Sequence, residues 1–207
     1  MFIRNIYESK LLLLLVLSIS IFVNASDSKY LIPAQYIAKN NLVALKQWHE
    51  AGGDLSGTYA ATPLISIAVI EGCHLDILRY LVDNGISVNQ RSPLHYDAPI
   101  HAAAGQADTS CLEFLVNNNA TIDVKTINGN NAYFEAMAVG NKEAIDILYK
   151  NGLSPFEKDF GTMDYIHFMA MNGKAELFED ILKQHYAKGN PPSFALDNLN
   201  KNDNKAR

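Results

Sequence analysis

The chain is poor in the residues from which catalytic, metal and crosslinked sites are commonly built. Among its 207 residues there are two cysteines, Cys73 and Cys111, too far apart for a C-x-x-C pair, which excludes a thiolate zinc knuckle or a dithiol redox motif. It has no G-x-x-x-x-G-K loop to cradle phosphates, no G-x-S-x-G elbow and no H-E-x-x-H helix. Basic residues (17) are outnumbered by acidic ones (22), giving a net charge of −5 with no basic cluster. Such a surface repels phosphate backbones, so neither nucleic acid nor an anionic membrane is an expected partner. With 48% hydrophobic residues the chain has enough apolar material for a packed core and is not of disordered type.

Long apolar runs are also scarce. The clearest, Leu11–Val23, follows Arg4 and Lys10 and ends in Val23-Asn24-Ala25 before Ser26. Thirteen residues rise about 20 Å as a helix, and a membrane span needs about 20 residues. The pattern of basic start, short apolar stretch and small-residue exit predicts a secretory signal over 1–25, cleaved between Ala25 and Ser26. The expected location is the periplasm or the medium, with no membrane attachment after cleavage.

What is present is a period. APIHAAAGQADTSCLEFLVNN begins at Ala98, NAYFEAMAVGNKEAIDILYKNG at Asn131 and DYIHFMAMNGKAELFEDILKQH at Asp164, each 33 residues after the last. Every unit runs from a short apolar start through small residues and a turn to a second apolar-periodic run. In those second runs Cys111, Leu112, Leu115 and Ile145, Leu148 keep helical spacing. Thr62–Asn89 follows the same plan with one extra residue, and Ala38–Leu55 matches in its second helix only. Two short helices every 33 residues predict an all-α solenoid of about five helix-turn-helix units: 30–57, 58–92, 93–125, 126–158 and 159–187. The tail 188–207, with two prolines and a run of Asn, Lys and Asp, is expected to be flexible, and Ser26–Pro33 to be a lead-in segment.

These units resemble ankyrin repeats, whose pattern reads T-P-L-H-x-A-A, then Gly-His and a leucine-paired helix. Thr62-Pro63-Leu64 carries the opening in the second unit, and Pro99, His101, Ala103 and Ala104 carry it in the third. Ala136, Gly140, Leu148 and Gly152 carry the pattern in the fourth, and His167, Ala170 and Gly173 in the fifth. Departures are Asn131-Ala132-Tyr133-Phe134 at the opening of the fourth unit and Asn119 where glycine is usual; asparagine is the next-best residue for a left-handed cap.

The resemblance implies a structural histidine at His101 and His167, tying the turn to neighbouring backbone. Stacked helices lie 8–10 Å apart, so histidines two units apart cannot share a metal ion with its ligands at about 2 Å. His95, two residues before Asp97, is the one histidine with a conceivable catalytic partner. Cys73 and Cys111 fall in adjacent layers about one helical turn out of register. Plain stacking leaves them too far apart, and the extra residue near Cys73 can close the gap. Cys111 filling a core slot and a Cys73–Cys111 disulfide both stand open; export and the even count favour pairing.

The resemblance also implies the function: binding another protein on the concave front and its fingers, without catalysis, cofactor or metal. The front positions are Glu71, Gln106, Asn128, Asn130, Ala138, Val139, Phe160, Met163, Met171 and Asn172, to which Tyr96 and Asp97 are added on the long finger before the third unit. Tyr80, Phe114 and Phe178, in second helices, read as core or back face. The expected state is a monomer, or a heterodimer with a partner that the chain sequesters or supports, as an immunity protein neutralises a toxin. The alternatives are an effector that engages a host protein and an enzyme centred on His95 and Asp97.

Overall fold

The computed structural model describes residues 25–153 together with 179, 180 and 183. Eight helices and one two-stranded hairpin fall within them. The first unit holds α1 (Ala25–Ala38) and α2 (Leu42–Glu50). The second holds β1 (Thr58–Tyr59), β2 (Thr62–Pro63), α3 (Leu64–Ile70) and α4 (Leu75–Asp83). The third holds α5 (Pro99–Ala104) and α6 (Ser110–Asn117), and the fourth α7 (Ala132–Val139) and α8 (Lys142–Lys150). First helices pack in the order α1, α3, α5, α7, and the second helices α4 and α6 touch behind them. The fold is an all-α solenoid, and no described helix is long and apolar enough to cross a membrane.

The helix types follow from their places. In α3 every residue from Leu64 to Val69 is buried, because a first helix in mid-stack has neighbours on all sides. In α4 only Ile77, Leu78 and Leu81 are buried while Asp76 and Arg79 pair in solvent at 3.0 Å, the stripe of a back-layer helix.

Asparagine caps at least one end of each described second helix, and both ends of α8. Asn41 and Asn141 accept a hydrogen bond from the backbone of Ala44 (3.0 Å) and Ala144 (3.1 Å), satisfying first-turn donors. At the other end the amides of Asn84, Asn118 and Asn151 each donate to the carbonyl four residues back at 2.8 Å. The next residue is then left-handed: Gly85, Asn119 and Gly152, with φ of 83°, 62° and 105°. Asn119 thus takes the cap conformation that glycine holds in the sister units.

Two expectations need correction or sharpening. Ser26–Pro33 is not a lead-in segment but the start of α1, which runs through Pro33. Burial of Ala34 and Ile37, with Leu31 and Tyr36 packed beside them, outweighs the roughly 3 kcal/mol that an internal proline costs a helix. The finger of the second unit is a true antiparallel hairpin, with Thr58 opposite Pro63 and Tyr59 opposite Thr62, whereas the described fingers of the third and fourth units are turns without strands. Its two-residue tip, Ala60-Ala61, has φ of 49° and 62°.

Candidate functional site

His101 is buried at the base of the third finger, and its ring is fully used. Its Nδ1 accepts from the Ala98 N–H at 3.0 Å, so Nε2 carries the proton and donates to the Val124 carbonyl at 3.0 Å. Burial pushes its pKa below 6.5, which keeps it neutral as that pattern requires. The histidine is scaffold: it joins the start of α5 to the chain leading into the fourth unit.

Arg91 does the same job nearer the tip. Its Nε donates to the Tyr96 carbonyl at 2.8 Å, its Nη2 donates to the Lys125 carbonyl, and its guanidinium lies 5.3 Å from the centre of the Tyr96 ring. The loop Ser92–Asp97 closes on itself through Ser92 N–H to Asp97 O (2.8 Å) and Tyr96 N–H to Ser92 O (3.0 Å). Finally, the Ile127 N–H donates to the His95 carbonyl at 2.9 Å and joins the third finger to the fourth. This rigid frame holds apolar side chains in water: Leu94 is 59% exposed, Tyr96 49% and Ile127 60%. Tyr96 has φ of 59°, a strained conformation for a bulky residue.

The expected front residues fall into two rows. Tyr96, Asp97, Asn128 and Asn130 come together on the joined fingers; Asn128 is exposed, and the Asn130 carbonyl accepts from Thr126 N–H at 2.8 Å. Glu71, Gln106 and Val139 lie at or just beyond the C-terminal ends of the first helices. Gln106 is tied down, its amide donating to the Val69 carbonyl and thereby linking the third unit to the second. Val139 is 39% exposed, while Ala138 is buried and so is no contact residue. Glu71 lines a cavity of about 440 Å³ between α1, α3 and the hairpin, with Leu31, Ala34, Tyr59 and Ile67 as its apolar wall. Tyr80 and Phe114 are half-buried against the core, as back-layer residues. Phe160, Met163, Met171 and Asn172, like His167 and Phe178, lie outside the described residues.

The structure pairs Cys73 with Cys111 across 5.5 Å between Cα atoms. Consecutive left-handed residues, Gly72 and Cys73 (φ of 130° and 57°), accommodate the extra residue of that turn. His95 is exposed and makes no side-chain bond to Asp97; it bonds through its backbone, to the Ser92 hydroxyl and the Ile127 N–H. Among the described residues no three His, Cys, Asp or Glu side chains gather as a metal site would require.

Sequence reasoning missed Leu94, Ile127, Arg91 and Glu135. Ile127 had a visible signal, a lone apolar residue in the polar turn TINGN. Glu135 had another, a single carboxylate inside the apolar run AYFEAMAV. It is half-buried, and burial first, then the Asp97 charge, push its pKa up to about 7.

Residues 65–116 match the family model described as ankyrin repeats (many copies). A human protein, transient receptor potential cation channel subfamily A member 1, is 31% identical over 127 residues, 60% of this chain and 11% of that protein. A Caenorhabditis elegans protein, ankyrin repeat and KH domain-containing protein mask-1, is 26% identical over 137 residues, 65% of this chain and 5% of that protein. The chain thus spans only a small part of the length of the curated relatives it matches. Stacked helix pairs, the structural histidine and these likenesses agree: residues 65–116 are ankyrin repeats, and the described helix pairs on either side continue the same stack.

Proposed function

We propose that this chain is an exported binding module that engages one other protein through its front and fingers and sequesters or supports it, as an immunity protein holds a toxin. Ankyrin repeats generally mediate protein–protein interaction, and an exported partner follows from the secretory pattern of residues 1–25. The observation that carries the reading is the joined finger tip. Leu94, Tyr96 and Ile127 stand exposed on a frame made of Arg91, Ser92 and the His95–Ile127 backbone bond. Apolar and aromatic groups on a rigid mount are suited to anchoring a partner, because little entropy is lost when they are covered. Holding Tyr96 in a left-handed conformation costs on the order of 1–3 kcal/mol, which the hydrogen bonds of Arg91 and Ser92 to its backbone offset.

The test is affinity capture of the tagged full-length chain from its own cells, beside a Tyr96→Ala, Ile127→Ser variant, with mass spectrometry of the eluate and N-terminal sequencing of the bait. One stoichiometric protein lost in the variant, with a bait beginning at Ser26, supports the reading. A neighbouring toxin gene favours neutralisation, and a secretion-system effector cluster favours the host-protein alternative. A partner retained by the variant places the contact elsewhere, and a bait that keeps its first residues removes the exported part.

A further inference from the structure

The front of the third and fourth units holds a negative charge that nothing in the described chain answers. Glu135 lies on α7 at the position that Ala102 holds on α5, 33 residues earlier. Its Cβ is 3.9 Å from where a side chain on Gly105 would begin, so the space left by that glycine opens onto it. Among the described residues no hydrogen bond or ion pair reaches its carboxylate. The charged group acting on it is another acid, Asp97, whose Oδ1 is itself buried without a donor. The neighbouring imidazole, His101, is held neutral and has both nitrogens engaged. The nearby guanidinium of Arg91 is spent on the carbonyls of Tyr96 and Lys125. A half-buried pair of like charges costs a free chain stability, and alanine at the sister position shows that the stack does not need it.

Immediately along the finger from Asp97 stand the exposed apolar groups Leu94, Tyr96 and Ile127. We propose that this surface receives a basic side chain of a partner protein, a lysine or arginine flanked by apolar residues. Its ammonium or guanidinium enters above Gly105 between Asp97 and Glu135, and its neighbours cover the finger tip. Charge complementarity selects this occupant: two acids lacking a cation match one multidonor cation, and the apolar tip matches what surrounds a buried charge in a tight interface. The inference rests on the protein-binding reading above and names the chemistry of the partner's contact.

A displayed library of random short peptides, panned on the immobilised full-length chain, tests it. Synthetic copies of the enriched peptides are then titrated by fluorescence anisotropy against the wild type, Glu135→Gln, Asp97→Asn and Tyr96→Ala. Peptides with a Lys or Arg among apolar residues are expected. Their affinity should fall roughly thirtyfold in Glu135→Gln, the low end for removing one partner of a desolvated charge pair, and should also fall with added salt. Glutamine is isosteric with glutamate, and a melting curve of the variant separates lost binding from lost folding. Enriched peptides lacking a basic residue, or basic ones indifferent to Glu135→Gln, overturn the inference while their sensitivity to Tyr96→Ala preserves the protein-binding front. Peptides that bind without regard to Tyr96, or no enrichment at all, overturn both.

Discussion

The junction between the second and third units and the junction between the third and fourth meet the same packing problem with different chemistry. Both stack first helix on first helix. The earlier junction adds a covalent bond, Cys73–Cys111, from a turn to a back-layer helix. The later one has no such crosslink and adds polar ties between α5 with its finger and the chain that leads to α7 and α8: His101 to Val124, Arg91 to Lys125, and the Asn141 amide to the Gln106 carbonyl at 2.6 Å. A disulfide acts largely by restricting the unfolded chain, whereas buried hydrogen bonds act by what it costs to leave them unmade. The covalent junction can therefore tolerate neighbouring change that the polar junction cannot. The unanswered charge of Glu135 nevertheless sits at the polar junction, beside the surface assigned to a partner.

Breaking the covalent junction should have the largest effect. Cys73 and Cys111 are 38 residues apart, and closing a loop of that length is worth about 4 kcal/mol on the chain-entropy scale. Cys73→Ser with Cys111→Val, or reduction of the wild type, should lower the urea midpoint by that equivalent. Units held mainly by neighbours can then unfold in steps. A midpoint unmoved by reductant would show that the bond adds nothing to the stack.

Breaking the polar junction should come next. His101→Ala leaves the Ala98 N–H and the Val124 carbonyl without their partner in a buried site, at a cost of about 3 kcal/mol. The pH dependence has a definite sign. Because the folded imidazole titrates below 6.5, its contribution is present above that pH and is lost as pH falls through the lowered value. Chemical denaturation from neutral to acid pH should show this loss in the wild type and not in the alanine variant.

Glu135→Gln should move stability the opposite way. The folded carboxyl titrates at about 7 against an ordinary 4.5, so the folded state holds its proton longer than the unfolded one. Its ionisation therefore removes stability as pH rises through that window. Glutamine should restore about 3 kcal/mol at pH above about 7, with the gain vanishing toward pH 4.5. A variant no more stable than the wild type in alkaline buffer would mean that the charge is answered within the chain, and the partner-cation proposal would lose its support.

The two junctions were unequally legible. The 33-residue period and the stripes of Ile77, Leu78, Leu81 and Ile145, Leu148 announce second helices, because a back-layer helix has one wet face. The extra residue in the turn at Cys73 permits the crosslink without deciding it, since it changes register where a thiol needs to move but leaves Cys111 equally suited to a core slot. First helices are harder, because burial on all sides erases periodicity in α3 and a proline disguises α1. The polar ties run from side chains to backbone carbonyls such as Val124 and Lys125, and a carbonyl has no letter in the sequence. Glu135 was readable as an oddity in an apolar run, but its meaning came only from Gly105 and Asp97, brought beside it by the stack. Phe160, Met163, Met171 and Asn172 fall outside the described residues, so the finger tip and Glu135 carry the candidate site.

The smallest expected effect lies away from both junctions and serves as their control. The hairpin tip Ala60-Ala61 places two alanines at positive φ, where the Cβ meets backbone oxygen and where Asn-Gly is the favoured pair of a two-residue turn. Ala60→Asn with Ala61→Gly should relieve that crowding and raise stability by about 1 kcal/mol, the greater backbone freedom of glycine in the unfolded chain taking back part of the gain. The increment should be the same in the wild type, in the disulfide-free variant and in His101→Ala, because distant sites without shared partners add. An increment that grows when the disulfide is absent would mean that the hairpin and the second junction unfold as one unit, and the stack would then divide at the third finger instead of between every pair of units.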